Sequence, residues 1–180
     1  KVFKYFIFIL ILFNYNWVIE KHNKNKLNMK IGNKIKDMDL LLENGVKKNI
    51  NEFSKKLLIY FYPKDDTPGC TLEAIEFSGL KSKFEEKNIQ IIGISKDTIE
   101  KHKKFRSKHN LSIDLASDES GKICKLFKVW VEKSMYGKKY MGIERSTFLL
   151  DESQKLIKEW RKVKAKGHAK EVFEFISNLT

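Results

Sequence analysis

A cysteine that follows a short turn after an apolar strand, and that opens a helix, is the part of this sequence best suited to chemistry. Cys70 follows the apolar run 57–62, and a helical pattern of apolar residues begins near Thr71. Pro68 fits the first helical position, where no N–H is needed, and Thr67 fits the N-cap. Unpaired N–H groups in a first helical turn, together with the helix dipole, stabilise negative charge on sulfur. The pattern predicts a reactive thiolate at Cys70, although a cysteine taken at random is more often a buried structural residue.

The spacing around this cysteine resembles a known family signature. Pro63, Thr67 and Cys70 match the Pro-x-x-x-Thr-x-x-Cys signature of peroxiredoxins. The longer string 62–71 resembles the Q-type branch, also called the bacterioferritin comigratory protein or thioredoxin-dependent thiol peroxidase family. Further matches are Gly93-Ile94-Ser95, Ser117-Asp118, Val129-Trp130, Lys133-Ser134, 136–142 and 145–151. The resemblance covers roughly Met29 to the C-terminus and implies a thioredoxin fold with peroxidase activity.

A thiolate alone does not make an efficient peroxidase, because a less basic thiolate is also less nucleophilic. Fixed hydrogen-bond donors must orient the peroxide and stabilise the departing oxygen. The resemblance implies that Cys70 attacks the peroxide and becomes a sulfenic acid, that Thr67 contacts the peroxide oxygen, and that Arg145 supplies a charged donor. From the residues alone, Thr67 would be an ordinary N-cap and Arg145 a surface salt bridge. Pro63 shapes and shields the pocket, or simply ends the strand.

The second cysteine that many Q-type relatives carry five residues after the first is replaced here by Ile75. Cys124 remains, and its neighbours Ile123 and Phe127 favour a buried packing position over a resolving role. We therefore expect a one-cysteine cycle, in which thioredoxin, glutaredoxin or a small thiol reduces the sulfenic acid directly. A thioredoxin-fold binding or redox-sensing module without turnover is the alternative.

Composition excludes several other classes of protein. The chain has 180 residues and a net charge of +13, but only 3 of its 36 basic residues are arginines. A solvated lysine-rich surface explains this charge better than a nucleic-acid site does. Without a Cys-x-x-Cys motif, and with no metal-ligand spacing among the four histidines, we expect no metal and no cofactor. We interpret Asp65 and Asp66 as exposed turn residues, and His102 and His109 as part of a solvated helix face.

The remaining pattern predicts an α/β protein with a mixed central sheet flanked by helices. Segments 37–42 and 46–49 predict an N-terminal β-hairpin, and 146–150 with 155–160 predict a second hairpin. Further strands are predicted at 57–62, 89–94 and 113–116, and helices at 98–109, 121–127 and 169–179, besides the helix that follows Cys70.

Residues 1–28 differ from the rest of the chain. Their apolar run 5–13 is shorter than the roughly twenty residues that a membrane span needs, and no small-residue cleavage site follows it. We interpret 1–28 as upstream sequence outside the fold, with a membrane anchor as the alternative, and 29–180 as the peroxiredoxin domain. For this domain we expect a cytoplasmic location, no membrane contact, and a monomer or weak homodimer.

Overall fold

Strands and helices contribute about equally to the regular structure of the described residues. The computed structural model describes residues 30–135 and 137–179. Its strands are β1 (Asp39–Leu42), β2 (Lys47–Asn49), β3 (Lys56–Phe61), β4 (Ile89–Ser95), β5 (Asp114–Ser117), β6 (Trp130–Met135), β7 (Lys138–Ile143), β8 (Ser146–Leu150) and β9 (Leu156–Trp160). Seven of them form one mixed sheet in the order β2–β1–β5–β4–β3–β8–β9, and β6 pairs with β7 in a separate ribbon.

The central strand β3 organises the sheet. It runs parallel to β4 and antiparallel to β8. Its side chains alternate between the two faces, as a strand requires. Leu58, Tyr60 and Tyr62 belong to one buried cluster, whereas Leu57, Ile59 and Phe61 belong to another. Both faces of β3 are therefore covered, as its continuous apolar sequence predicts.

Four α-helices of the described residues cover the sheet, namely α1 (Pro68–Glu86), α2 (Ile99–Lys108), α3 (Lys122–Leu126) and α4 (His168–Ser177). Apolar side chains of α1, α2 and α4 pack on the Tyr60 face of β3. Those of α3, together with β1 and the short 3₁₀ turn Ile50–Glu52, pack on the Ile59 face. The result is a layered α/β sandwich, with the sheet as a partition between two cores.

The observed elements agree with most of the sequence predictions. Both predicted hairpins form, and the predicted helices and strands are present with ends that differ by one or two residues. The β6–β7 ribbon was not predicted, because its strands are largely exposed and carry several lysines rather than a regular apolar alternation. Within the described part of the chain, no helix is long and apolar enough to cross a bilayer. The interpretation of residues 1–28 falls outside the described residues.

Candidate active site

The edge of the sheet where β3 ends and β8 begins brings distant residues together. Phe61 pairs with Ser146 across the two antiparallel strands. Pro63 follows β3 and Arg145 precedes β8, so both lie just beyond this edge. Both also line a surface pocket of about 410 Å³, together with Lys133 and residues of the β6–β7 ribbon. The topology thus unites two of the four residues that the sequence singled out.

Cys70 is the third residue of α1, which starts at Pro68 with Thr67 as its N-cap. The first helical hydrogen bond runs from the Thr71 N–H to the Thr67 carbonyl at 2.8 Å. The N–H groups of Gly69 and Cys70 precede this bond and have no partner within the helix. The Cys70 side chain is 1% exposed. The predicted strand–turn–helix setting of the thiol is therefore present.

Arg145 is the charged group next to the Cys70 sulfur. Its Nη2 donates a hydrogen bond to Sγ at 3.2 Å, across 75 residues of sequence. A guanidinium stays protonated at any relevant pH, so Arg145 places a permanent positive charge and a hydrogen-bond donor beside the sulfur. This contact excludes, for Arg145, the interpretation as an ordinary surface salt bridge.

Glu73 is a site residue that the sequence analysis did not identify. It lies one helical turn after Cys70, is fully buried, and forms an ion pair with Arg145 Nη1. Burial raises the pKa of Glu73 from 4.5 to about 7, and the charge and hydrogen bond of Arg145 offset only part of this rise. The sequence signal that could have identified Glu73 is a glutamate in the apolar face of a helix, three residues after the predicted reactive cysteine.

The Thr67 side chain behaves differently from an ordinary N-cap. It makes no capping hydrogen bond; its hydroxyl instead donates to the Lys64 carbonyl at 3.1 Å. Because the hydroxyl proton is donated to Lys64, the oxygen can still accept a hydrogen bond through its lone pairs.

Lys133 of β6 adds positive charge beside the same pocket. Its amino group donates to the Ile143 carbonyl. Burial lowers the pKa of Lys133 and the charge of Arg145 lowers it further, whereas Glu144 and Cys70 act in the opposite direction. The pocket is thus lined by charged side chains of both signs, and the charge that contacts the sulfur is the Arg145 guanidinium.

Cys124 lies in the other core. It belongs to the cluster on the Ile59 face of the sheet, whereas Cys70 belongs to the cluster on the Tyr60 face. Cys124 is fully buried, as its apolar neighbours predict, and burial followed by the charge of Asp118 raises the pKa of its thiol strongly. The sheet therefore separates the two free cysteines.

Two predictions of solvent exposure were wrong. Asp65 is only 8% exposed and His102 is fully buried. The Asp65 carboxylate accepts from the Tyr62 hydroxyl at 2.7 Å and contacts His102 Nδ1 at 2.8 Å. Both residues are buried because α2 packs against the loop after β3, an approach that local sequence does not reveal. Asp66 is exposed, as predicted, while His109, which contacts it, is about four-fifths covered.

These features define a class of protein. A free thiol at the start of a helix, next to a guanidinium and at the end of a central strand of a mixed sheet, is the arrangement of a thiol-dependent redox enzyme with a thioredoxin-like fold.

Comparison with known proteins narrows this class. The profile of the AhpC/TSA family matches residues 31–159. Peroxiredoxin Bcp of Bacillus subtilis is 44% identical over 155 residues, which cover 86% of this chain and 99% of that protein. Among solved structures, a cysteine-to-serine variant of Xylella fastidiosa PrxQ has a TM-score of 0.80 at 36% identity, covering 84% of this chain and 97% of the other. The bacterioferritin comigratory protein of Xanthomonas campestris, studied for alkyl peroxide reduction, has a TM-score of 0.75 at 39% identity, covering 78% and 90%.

The chain belongs to the AhpC/TSA family, and its relatives place it among the Q-type peroxiredoxins. It is therefore a peroxidase that uses a cysteine thiol, with a peroxide as substrate and a thioredoxin-type reductant.

Proposed function

We propose that Cys70 is the peroxide-reacting cysteine, and that the enzyme reduces hydrogen peroxide and organic hydroperoxides in antioxidant defence. The contact between Cys70 Sγ and Arg145 Nη2 carries this proposal. Among the described residues there are two cysteines, and Cys70 is the one whose sulfur has a cationic donor within hydrogen-bond distance.

In the proposed reaction, the Cys70 thiolate attacks one peroxide oxygen and the O–O bond breaks. The bonding electron pair leaves with the distal oxygen, which takes up a proton and departs as water or an alcohol. The sulfur loses two electrons and becomes a sulfenic acid. Arg145 stabilises both the thiolate and the charge that develops on the oxygens.

Three further residues have supporting roles in this proposal. The Thr67 hydroxyl, whose proton is directed to Lys64, accepts a hydrogen bond from the peroxide O–H. Pro63 forms part of the pocket wall beside Arg145. Glu73 holds the guanidinium in place through Nη1, which leaves Nη2 to contact the sulfur.

We propose a one-cysteine cycle for the reductive half of the reaction. Ile75 occupies the place where a resolving cysteine would lie on α1, and it is 46% exposed. A Cys70–Cys124 disulfide would require two side chains in separate cores to come within bonding distance, where Cα atoms must lie less than about 7 Å apart. An external thiol, from thioredoxin, glutaredoxin or a small molecule, therefore attacks the sulfenic acid, releases water, and leaves a mixed disulfide that a second thiol reduces.

The setting of the enzyme is also part of the proposal. Two free cysteines and a cycle that depends on thiols fit a reducing, cytoplasmic compartment. We assign the activity to residues 29–180, acting as a monomer or weak homodimer.

Mass spectrometry of the intact reduced protein, treated with one equivalent of hydrogen peroxide, tests the proposal. We expect the gain of one oxygen atom, trapped by dimedone on Cys70, and loss of turnover in Cys70→Ser. Full turnover in Cys70→Ser, or no rapid mass change in the wild type, would contradict the role of Cys70. Loss of two hydrogens without dimerisation would contradict the one-cysteine cycle alone.

A further inference from the structure

The loop between β3 and α1 is tied to α2 by buried polar contacts that the peroxidase reaction does not itself explain. This loop carries Pro63 and Thr67 on the active-site side. Between them, the Asp65 carboxylate accepts from the Tyr62 hydroxyl at 2.7 Å and from His102 Nδ1 at 2.8 Å. Since a carboxylate only accepts, Nδ1 carries the proton. The loop is thus joined to a helix 37 residues further along the chain.

The backbone of the same loop is fixed as well. The Asp65 N–H donates to Asp97 Oδ2 at 2.8 Å, and the Ser95 hydroxyl donates to the same oxygen at 2.9 Å. Asp97 lies in the connection between β4 and α2. Because β3 and β4 are parallel, their carboxyl ends meet at one edge of the sheet, which brings the two loops together. The Asp65 side chain is therefore fixed by Tyr62 and His102, and its main chain by Asp97.

The next residue extends the attachment to the end of α2. Asp66 has a left-handed backbone conformation, with φ of 57°, which is unfavourable for most residues. Its carboxylate contacts Lys108 Nζ at 2.6 Å and His109 Nε2 at 2.8 Å. The turn that leads into Thr67 thus depends on contacts with α2 at two consecutive positions.

Burying such a network is unfavourable compared with packing apolar side chains of the same volume. His102 Nε2 has no hydrogen-bond partner among the described residues, but the hydrogen bonds of Nδ1 and of Asp65 hold the loop in a single geometry. We propose that the buried Asp65–His102 pair, supported by Tyr62, is a positioning device that holds the peroxide-binding loop in its reactive conformation. His102 and Asp65 act through Thr67 and Cys70 and do not touch the substrate. This inference rests on the proposed function of Cys70.

A positioning role predicts a selective defect. Oxidation by a peroxide requires donors and acceptors placed around the transferred oxygen, and a displacement of about 1 Å can lower a rate by about a hundredfold. Alkylation by iodoacetamide requires an accessible thiolate but no such arrangement. A loosened loop therefore slows oxidation of Cys70 more than alkylation, whereas general loss of packing exposes the thiol and speeds alkylation.

Three variants and one matched control test this inference. His102→Leu removes the Nδ1 donor, His102→Asn retains an amide donor near the Nδ1 position, and Tyr62→Phe removes one hydroxyl with little change of shape. The control, Arg106→Leu, removes the α2 partner of another buried carboxylate, Glu43, which is 4% exposed and does not contact the loop. For each protein, the rate constants of Cys70 with hydrogen peroxide and with iodoacetamide are measured at one pH, together with the melting temperature.

We expect His102→Leu to lower the oxidation rate constant by about ten- to a hundredfold with little change in alkylation. Tyr62→Phe shows a smaller loss, and His102→Asn recovers most of the wild-type rate. Arg106→Leu lowers the melting temperature but keeps the wild-type ratio of the two rate constants. The inference is overturned if His102→Leu and Tyr62→Phe both oxidise at the wild-type rate, or if Arg106→Leu changes the ratio as much as His102→Leu does. Failure of wild-type Cys70 to oxidise would instead refute the proposed function.

Discussion

Cys70 and Cys124 occupy equivalent places in two different helices. Each is the third residue of its helix, α1 or α3, and each is almost completely buried. Their nearest charged partners have opposite signs. Arg145 donates to the Cys70 sulfur, whereas the Asp118 carboxylate accepts from the Cys124 N–H at 2.7 Å and contributes to the raised pKa of that thiol.

The comparison separates three factors that are often invoked together for reactive cysteines. Burial is shared by both residues, and so is a place in the first turn of a helix. The charge brought by the rest of the fold is not shared. At Cys124, the carboxylate occupies an N–H of the first turn and opposes negative charge on the sulfur. The sign of the neighbouring side chain therefore distinguishes the two thiols, and a helix N-terminus alone does not.

Among the variants that test the difference between the two cysteines, Arg145→Leu is expected to have the largest effect. Without the guanidinium, the rate constant of Cys70 with peroxide falls by about 10²- to 10³-fold, the usual loss for a donor that stabilises transition-state charge. Stopped-flow oxidation of the reduced variant measures this loss. Arg145→Lys recovers only part of it, because an ammonium cannot reach Cys70 and Glu73 with two parallel donors.

Two controls accompany this prediction. Arg161→Leu removes another of the three arginines, one that pairs with Glu159 rather than with Cys70, and we expect it to retain the wild-type rate. Arg145→Leu leaves the buried Glu73 carboxylate without its ion-pair partner. Adding Glu73→Gln removes that unpaired charge. A double variant with wild-type activity would show that stability, not charge at the sulfur, explains the single variant.

An effect of intermediate size is expected from Glu73→Gln. Burial raises the pKa of Glu73 to about 7, so between pH 4.5 and 7 the folded protein holds a proton that the unfolded chain releases. The wild type is therefore destabilised, relative to the glutamine variant, as the pH rises through this window. Between pH 4.5 and 7, the unfolding free energy of the wild type falls by about 3 kcal/mol relative to that of the Glu73→Gln variant.

Urea denaturation of both proteins at a series of pH values from 4.5 to 8 measures this difference. Glu86→Gln, an exposed change on the same helix, controls for the loss of one carboxylate. A difference between wild type and Glu73→Gln that does not vary with pH would contradict the raised pKa.

The smallest effect is expected from Cys124→Ala. Shortening a buried side chain lowers the unfolding free energy by about 1 kcal/mol, while peroxide turnover stays within about twofold of the wild type. Thermal unfolding and a coupled peroxidase assay measure the two quantities. If turnover disappears while Cys70 still forms sulfenic acid, Cys124 takes part in resolution and the comparison between the two cysteines fails.

Local sequence predicted the strands, the helices and the setting of the thiol, because these depend on neighbouring residues, whereas the thioredoxin fold was implied by the family resemblance. The apolar run before Pro63 predicts β3. Thr67 and Pro68 predict that α1 begins two residues before Cys70, so that the sulfur lies in its first turn. Arg145 required the family resemblance, since nothing near it in sequence distinguishes it from a surface arginine.

The buried polar residues could not be predicted in the same way. Asp65 and His102 appear in polar stretches, and their burial follows from the meeting of two loops at the carboxyl ends of β3 and β4. The position of His102, three residues before the buried Phe105, was a weak signal for the inner face of α2. The β6–β7 ribbon was missed because exposed strands lack the alternation that identifies half-buried ones.

The antiparallel pairing of β3 with β8 has a consequence for the life of the newly made chain. A ribosome completes Cys70 and its helix well before it reaches Arg145, which follows 75 residues later. The cationic partner arrives only when β8 pairs with β3, after which β9 adds to the outer side of β8. An incomplete chain therefore carries a thiol without its activating charge, and peroxide chemistry begins when the last part of the sheet closes.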